Sequence, residues 1–143
     1  MSWKRVVVGV DGSPSSARAL RFAADEAREH DAELYVVTSY TIPAPPVASA
    51  YGAAPWRDER EWLADAEGTL KSTVTDTLGH HPGLQVIGQA IEGSAAKVLI
   101  DASARADLLV VGTRGHGGFA GMLLGSVSQH LTAHAACAVT VVR

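Results

Sequence analysis

Two uninterrupted apolar stretches constrain this chain more than anything else in it. They are Val6-Val7-Val8-Gly9-Val10 within residues 4–11, and Leu108-Leu109-Val110-Val111 within residues 107–112. A strand wetted on one side alternates apolar and polar residues. Runs without alternation are buried on both faces, as in a parallel sheet covered by helices above and below. The first run ends in Asp11-Gly12-Ser13-Pro14, where Ser13 can cap a helix and Pro14 suits its first position. Ala17, Leu20, Ala23, Ala24 and Ala27 then recur at helical spacing to about residue 30, and so many alanines predict a helix lying close on the sheet.

The alternation continues along the chain. Residues 33–40 read as a second strand, and residues 57–79 as the longest helix. Its stripe of Trp62, Ala66, Leu70, Val74 and Leu78 places Trp62 in the core. Residues 84–91 form a weaker strand whose glutamines and Gly88 suit a sheet edge. Ser94 opens a helix carrying Ala95, Val98, Leu99 and Ala102. The strand at 107–112 follows, then a helix from Ser126 through Val127, Leu131 and His134, and a closing strand at 137–142. Between the second strand and the long helix, Thr41–Pro55 holds four of the chain's 6 prolines, so it reads as an irregular segment, either a lid or a plain crossover.

Such a pattern predicts an α/β fold: a three-layer, doubly wound, five-stranded parallel sheet with four helices, in one domain spanning residues 1–143. With right-handed crossovers, order 3-2-1-4-5 places strands 1 and 4 side by side at the centre. Ligands bind outside the carboxyl ends of strands at that switch point, where Asp11 and Gly112 meet. In this order the fifth strand is an apolar edge without lysine or proline, so pairing of two copies through 137–142 is expected.

Composition narrows the partners. A formal charge of −3 and a pI near 6.0 give no basic face for nucleic acid. The single cysteine, Cys137, forms neither an internal disulfide nor a cysteine zinc site, and its apolar setting suits a buried thiol. No run approaches the roughly 20 apolar residues of a membrane span, and the run after Lys4-Arg5 is too short for a signal peptide, so a cytoplasmic protein is expected. His130 and His134 stand four apart on the last helix, a metal-compatible spacing, but no third ligand accompanies them and no metal site is expected.

The chemistry concentrates in residues 107–128, which contain glycines 112, 115, 117, 118, 121 and 125. Glycine lets backbone come close to a ligand, and a helix N-terminus supplies unpaired N–H groups and a positive dipole end. Walker A is excluded because no lysine follows Lys97. A dinucleotide fingerprint forced onto Gly115-x-Gly117-x-x-Ala120 lacks its acidic partner, since no Asp or Glu follows Asp107. No Gly-x-Ser-x-Gly elbow occurs. A phosphate site built from main-chain N–H groups would need no lysine, and Arg114 and His116 are the only basic side chains in the loop.

The spacing Gly112-x2-Gly115-x9-Gly125-Ser126, directly after an apolar strand, resembles the ATP-binding motif of the universal stress protein family. Val8-Gly9-Val10-Asp11-Gly12-Ser13 resembles that family's first strand and loop, and Ala138-Val139-Thr140-Val141-Val142 its closing strand. The resemblance covers nearly the whole chain and implies an adenine nucleotide alpha hydrolase-like fold. It implies that Asp11 lies by the ribose and adenine, with Gly9 and Val10 lining the site. Ser39 would contact adenine through its backbone, because Thr38-Ser39 replaces the family's common His-Val. Val111 and Gly112 would border the ribose, and Gly115 would let the loop approach the phosphates. Gly125, Ser126 and Val127 would place N–H groups on the triphosphate, with the hydroxyls of Ser126 and Ser128 as added donors.

The function so implied is ATP binding, with or without Mg2+, by a stress-response regulatory protein that forms a homodimer. The alternative is a slow ATPase or an adenylyl-transferring enzyme on the same fold. No positioned base for activating water is evident, and the Gly/Ser/Asp pyrophosphatase loop and the His-x-Gly-His synthetase motif are both missing. At most, slow Mg-dependent hydrolysis is expected.

Overall fold

Strand formation follows the apolar runs. In the computed structural model, which describes residues 3–43, 57–113 and 125–143, the strands are β1 (Arg5–Gly9), β2 (Glu33–Tyr40), β3 (Val86–Glu92), β4 (Leu108–Gly112) and β5 (Ala138–Val142). They form one parallel sheet in the order β3-β2-β1-β4-β5, as the sequence predicts. Val8 of β1 stands opposite Val36 on one side and Val110 on the other, so the two uninterrupted apolar runs of β1 and β4 lie side by side with β2 flanking β1. Val6, Val7, Val8, Leu34, Val36, Leu109 and Val110 are fully buried, which is why these strands carry no alternation.

Among the described residues four helices cover the two faces: α1 (Pro14–His30), α2 (Glu59–Leu78), α3 (Ala95–Ser103) and α4 (Ser126–His134). Residues one apart on β1 point to opposite layers. Val6, Val8 and Val10 join Leu20, Leu34 and Leu70 under α1 and α2, while Val7 joins Val98, Leu99, Leu109 and Leu131 under α3 and α4. Ala19, Ala23, Ala24 and Ala27 are all fully buried, so α1 lies close on the sheet as its alanines predict. Its start also follows the sequence: Ser13 is the N-cap, accepting from the Ser16 N–H, and Pro14 takes the first helical position. Ser94 caps α3 by accepting from the Lys97 N–H at 3.3 Å.

Two expectations are revised. The third strand begins at Val86 rather than residue 84, because Leu84 belongs to a turn closed by its N–H on the His81 carbonyl and enters the core from there. Trp62 is half-buried rather than core. The part of α2 that reaches the core is its C-terminal half, through Leu70, Val74 and Leu78, and Trp62 is instead overlain by the Arg57 guanidinium 4.3 Å from its ring centre. Cys137 is half-buried among Leu109, Leu131 and neighbouring apolar side chains, and desolvation pushes its thiol pKa up. Most of the proline-rich segment, residues 44–56, lies outside the described residues.

Candidate functional site

All the described site residues lie at the carboxyl end of the sheet. Gly9 ends β1, Val10 and Asp11 follow it, Ser39 is the penultimate residue of β2, and Val111-Gly112 end β4. Gly125, Ser126, Val127 and Ser128 form the N-terminus of α4. Arg114, Gly115 and His116, also expected at the site, lie outside the described residues.

One wall is the turn after β1. The Val10 N–H donates to the Val37 carbonyl at 2.9 Å, carrying the β1–β2 pairing one residue past the strand. Gly12 then takes φ 83°, a left-handed conformation that suits glycine. Asp11 Oδ1 accepts the Ser13 N–H at 2.9 Å, and the Asp11 N–H donates to Ser16 Oγ at 3.3 Å. Ser16 Oγ in turn donates to the Ser13 carbonyl at 3.0 Å. The turn is therefore tied internally, and it holds the exposed Asp11 carboxylate at the mouth between β1 and β4.

The other wall joins β4 to α4. Thr113 continues past β4, its N–H donating to the Val142 carbonyl at 3.1 Å, while its own carbonyl accepts the Gly125 N–H at 2.5 Å. That bond brings the chain back to the start of α4 at the point where β4 ends. Gly125 is the N-cap, not Ser126, and a glycine has no side chain with which to satisfy the first-turn donors. Ser126 occupies the first helical position and is exposed. Ser128 is buried, and its hydroxyl donates to the Gly112 carbonyl at 2.6 Å. A serine hydroxyl has one proton to give, and here that proton is engaged within the protein.

Gly112 is required by close approach. A Cβ built there would stand 2.2 Å from Ser15 Oγ and 2.8 Å from the Ser15 carbonyl oxygen. The N-terminus of α1 thus seats directly on the end of β4, and Ser15 is buried there. Gly9 is also a packing position, since a Cβ would meet Leu99 Cδ1 at 2.8 Å. Sequence reasoning picked out both glycines but missed Ser15 and Thr113, whose roles come from tertiary proximity that no local pattern signals.

The arrangement suits an anion. Among the described residues no side chain caps the first turn of α4, and to that helix end is added Gly112, approached by Ser15 and bonded by Ser128. A separate groove of about 850 Å³ lies between α1 and α2, lined in part by Gly12, Ser13, Asp65, Ser72 and Asp76. Its two α2 carboxylates make it a poor place for a polyphosphate.

The sequence profile of the Universal stress protein family matches residues 2–143. The chain belongs to this family. It is 38% identical over 140 residues to a universal stress protein of Mycolicibacterium smegmatis, covering 96% of this chain and 47% of that one. It is 30% identical over 143 residues to one from Methanocaldococcus jannaschii, covering 99% of this chain and 82% of the relative. The chain therefore spans about half the length of the mycobacterial relative and most of the archaeal one. Among solved structures, a universal stress protein in complex with cAMP superposes with a TM-score of 0.74 at 26% identity, covering 100% of this chain and 99% of that one. The universal stress protein of Archaeoglobus fulgidus in complex with dAMP gives a TM-score of 0.69 at 25% identity, with 100% of both chains covered. UspA of Lactobacillus plantarum, at a TM-score of 0.79 and 18% identity over 100% of this chain and 99% of that one, shares the adenine nucleotide alpha hydrolase-like fold.

Proposed function

We propose that this universal stress protein domain, residues 1–143, binds an adenine nucleotide at the carboxyl ends of β1 and β4, and that ATP is its ligand. The observation that carries the reading is the N-terminus of α4, capped by glycine at the fold's switch point and anchored through Ser128 to Gly112. Structural neighbours solved with cAMP and dAMP support the adenine part. The N–H groups of Gly125, Ser126 and Val127 would hold the phosphates, with the Ser126 hydroxyl as the added donor. Arg114 and His116 would meet a phosphate through their side chains, and Gly115 would allow the backbone to approach it. Val111, Gly112 and Asp11 would flank the ribose, and Gly9, Val10 and Ser39 the base.

The donor set fits a triphosphate, because main-chain N–H groups take anionic oxygens without a lysine. Mg2+ entering with ATP would neutralise phosphate charge, and Asp11 is the one described carboxylate at the mouth. Asp11 is assigned to the ribose and already accepts the Ser13 N–H, so the site is read as holding nucleotide rather than turning it over. Occupancy would then act as a regulatory signal in a stress response. The edge strand β5, exposed or half-buried along its length, is the surface through which two copies would pair in the cytoplasm.

The test is analysis of nucleotide carried through purification, followed by calorimetric titration with ATP, AMP and cAMP, each with and without Mg2+. Ser126→Ala should weaken ATP binding by roughly 1.5–3 kcal/mol, the scale of a hydrogen bond to a charged group. Absence of binding by all three nucleotides at millimolar concentration would overturn the reading. Multiple turnovers with Mg-ATP would replace the binder with an enzyme.

A further inference from the structure

The last turns of α4 carry a feature that nucleotide binding does not use. His130 and His134 have ring centres 4.5 Å apart, with planes tilted by 45°. They are successive side chains on one face of the helix, and both are exposed. Neither makes an ion pair or side-chain hydrogen bond among the described residues. Two imidazoles at this spacing gain nothing from each other when charged, since like charges four apart on a helix repel.

We propose that His130 and His134 form a two-imidazole clip for a borderline transition-metal ion of the zinc, nickel or copper(II) class. Imidazole nitrogen selects these ions, whereas magnesium and calcium prefer oxygen ligands. No group of three or more candidate metal ligands occurs among the described residues, so the ion's other positions are left to water. The clip is preorganised by the anchoring of its helix. Leu131, between the two histidines, is fully buried, and the Ala135 N–H donates to the Leu131 carbonyl at 2.9 Å. Just past the helix, the Ala136 N–H donates to Ser103 Oγ at 2.9 Å, and at the other end Ser128 is tied to Gly112. The backbone spacing between the two imidazoles is thus fixed before the ion binds, so only the side-chain rotamers remain to be ordered and the second imidazole acts at raised effective concentration. Because neutral imidazole is the ligand, any proton held by the pair is released to solvent as the metal binds.

The test uses the full chain without nucleotide, titrated calorimetrically with nickel chloride and, separately, zinc chloride. One ion should bind per chain, and millimolar magnesium should not displace it. His130→Ala and His134→Ala should each weaken binding by about 10²-fold, the loss expected when two linked ligands become one. The paired change His80→Ala/His81→Ala, and His116→Ala, should leave it unaltered. Both clip positions are exposed, so the metal-free thermal midpoint of each variant should match the parent, which separates lost ligation from lost folding. The proposal is overturned if His134→Ala binds nickel as the parent does, if binding follows His80, His81 or His116 instead, or if the parent binds only at millimolar metal.

Discussion

The two ends of the central strands β1 and β4 are finished in opposite ways. At the amino end, the Asp107 carboxylate accepts the N–H groups of Lys4 and Arg5 at 2.7 and 3.0 Å, and Arg5 pairs with Glu33 at 2.6 Å. Every polar group named there has its partner within the protein. At the carboxyl end, the strands run into Gly112, an exposed Asp11, and a helix whose cap residue has no side chain. Backbone donors that folding leaves unsatisfied are available to a ligand, whereas those satisfied by a carboxylate contribute to stability alone. One pair of strands therefore has an end that closes the sheet and an end left open, where the proposed nucleotide would bind.

The largest test of this contrast is Gly112→Ala. The added methyl cannot be absorbed by moving a side chain alone, because it meets Ser15 backbone atoms at 2.8 and 2.9 Å as well as Ser15 Oγ. Overpacking of this kind costs typically 1–3 kcal/mol, and the upper part of that range is expected here. Urea unfolding should show the loss, and nucleotide affinity should fall with it. Adding Ser15→Ala removes the hydroxyl but not the backbone contacts, so it should restore only part of the stability. Full restoration would mean that the close approach is confined to the two side chains.

Next in size is Ser128→Ala. It removes the hydroxyl that donates to the Gly112 carbonyl in a part-buried setting, at a cost of about 1–3 kcal/mol. The informative comparison is with Ser126→Ala. Ser128→Ala should lower the unfolding midpoint and nucleotide affinity together, because it loosens the anchor of α4. Ser126→Ala should lower affinity and leave the midpoint within about 0.5 kcal/mol, as exposed surface changes do. If Ser128→Ala altered affinity without altering stability, the hydroxyl would be acting on the ligand and not on Gly112.

These two serines also mark how far sequence reasoning reaches. The strand order, the caps at Ser13 and Ser94, the close seating of α1 and the edge positions of β3 and β5 follow from period, capping chemistry and alanine content. All of these are local. The glycine spacing likewise singled out Gly112, because close approach leaves a mark in composition. What a hydroxyl faces leaves none: Ser126 and Ser128 are the same residue type two apart, and only the distance from α4 to the end of β4 assigns one to solvent and the other to a carbonyl. The same holds for Trp62. Its helical register matched the core stripe, but α2 meets the core around Leu70, Val74 and Leu78 and leaves its first turns to Arg57.

The smallest effect is expected at the closed end, from Asp107→Asn. Asparagine keeps an acceptor oxygen for the Lys4 and Arg5 N–H groups and removes only the charge. Those two hydrogen bonds hold the Asp107 carboxyl below its ordinary value of 3.8, with Lys4 adding a smaller attraction. A carboxylate whose pKa is depressed on folding stabilises the native state where it is ionised in both states, above its unfolded value. That contribution is lost as pH falls through the folded value. Parent and variant should therefore differ most near neutral pH and converge between about pH 5 and about pH 2 when urea midpoints are compared across pH. Nucleotide affinity at neutral pH should be the same for both, because the carboxylate sits at the far end of the strands that carry the site. A gap that persisted unchanged into acid would mean that the oxygen geometry matters and the charge does not. A change in affinity would mean that the two ends of β4 are coupled, contrary to the division of labour drawn between them.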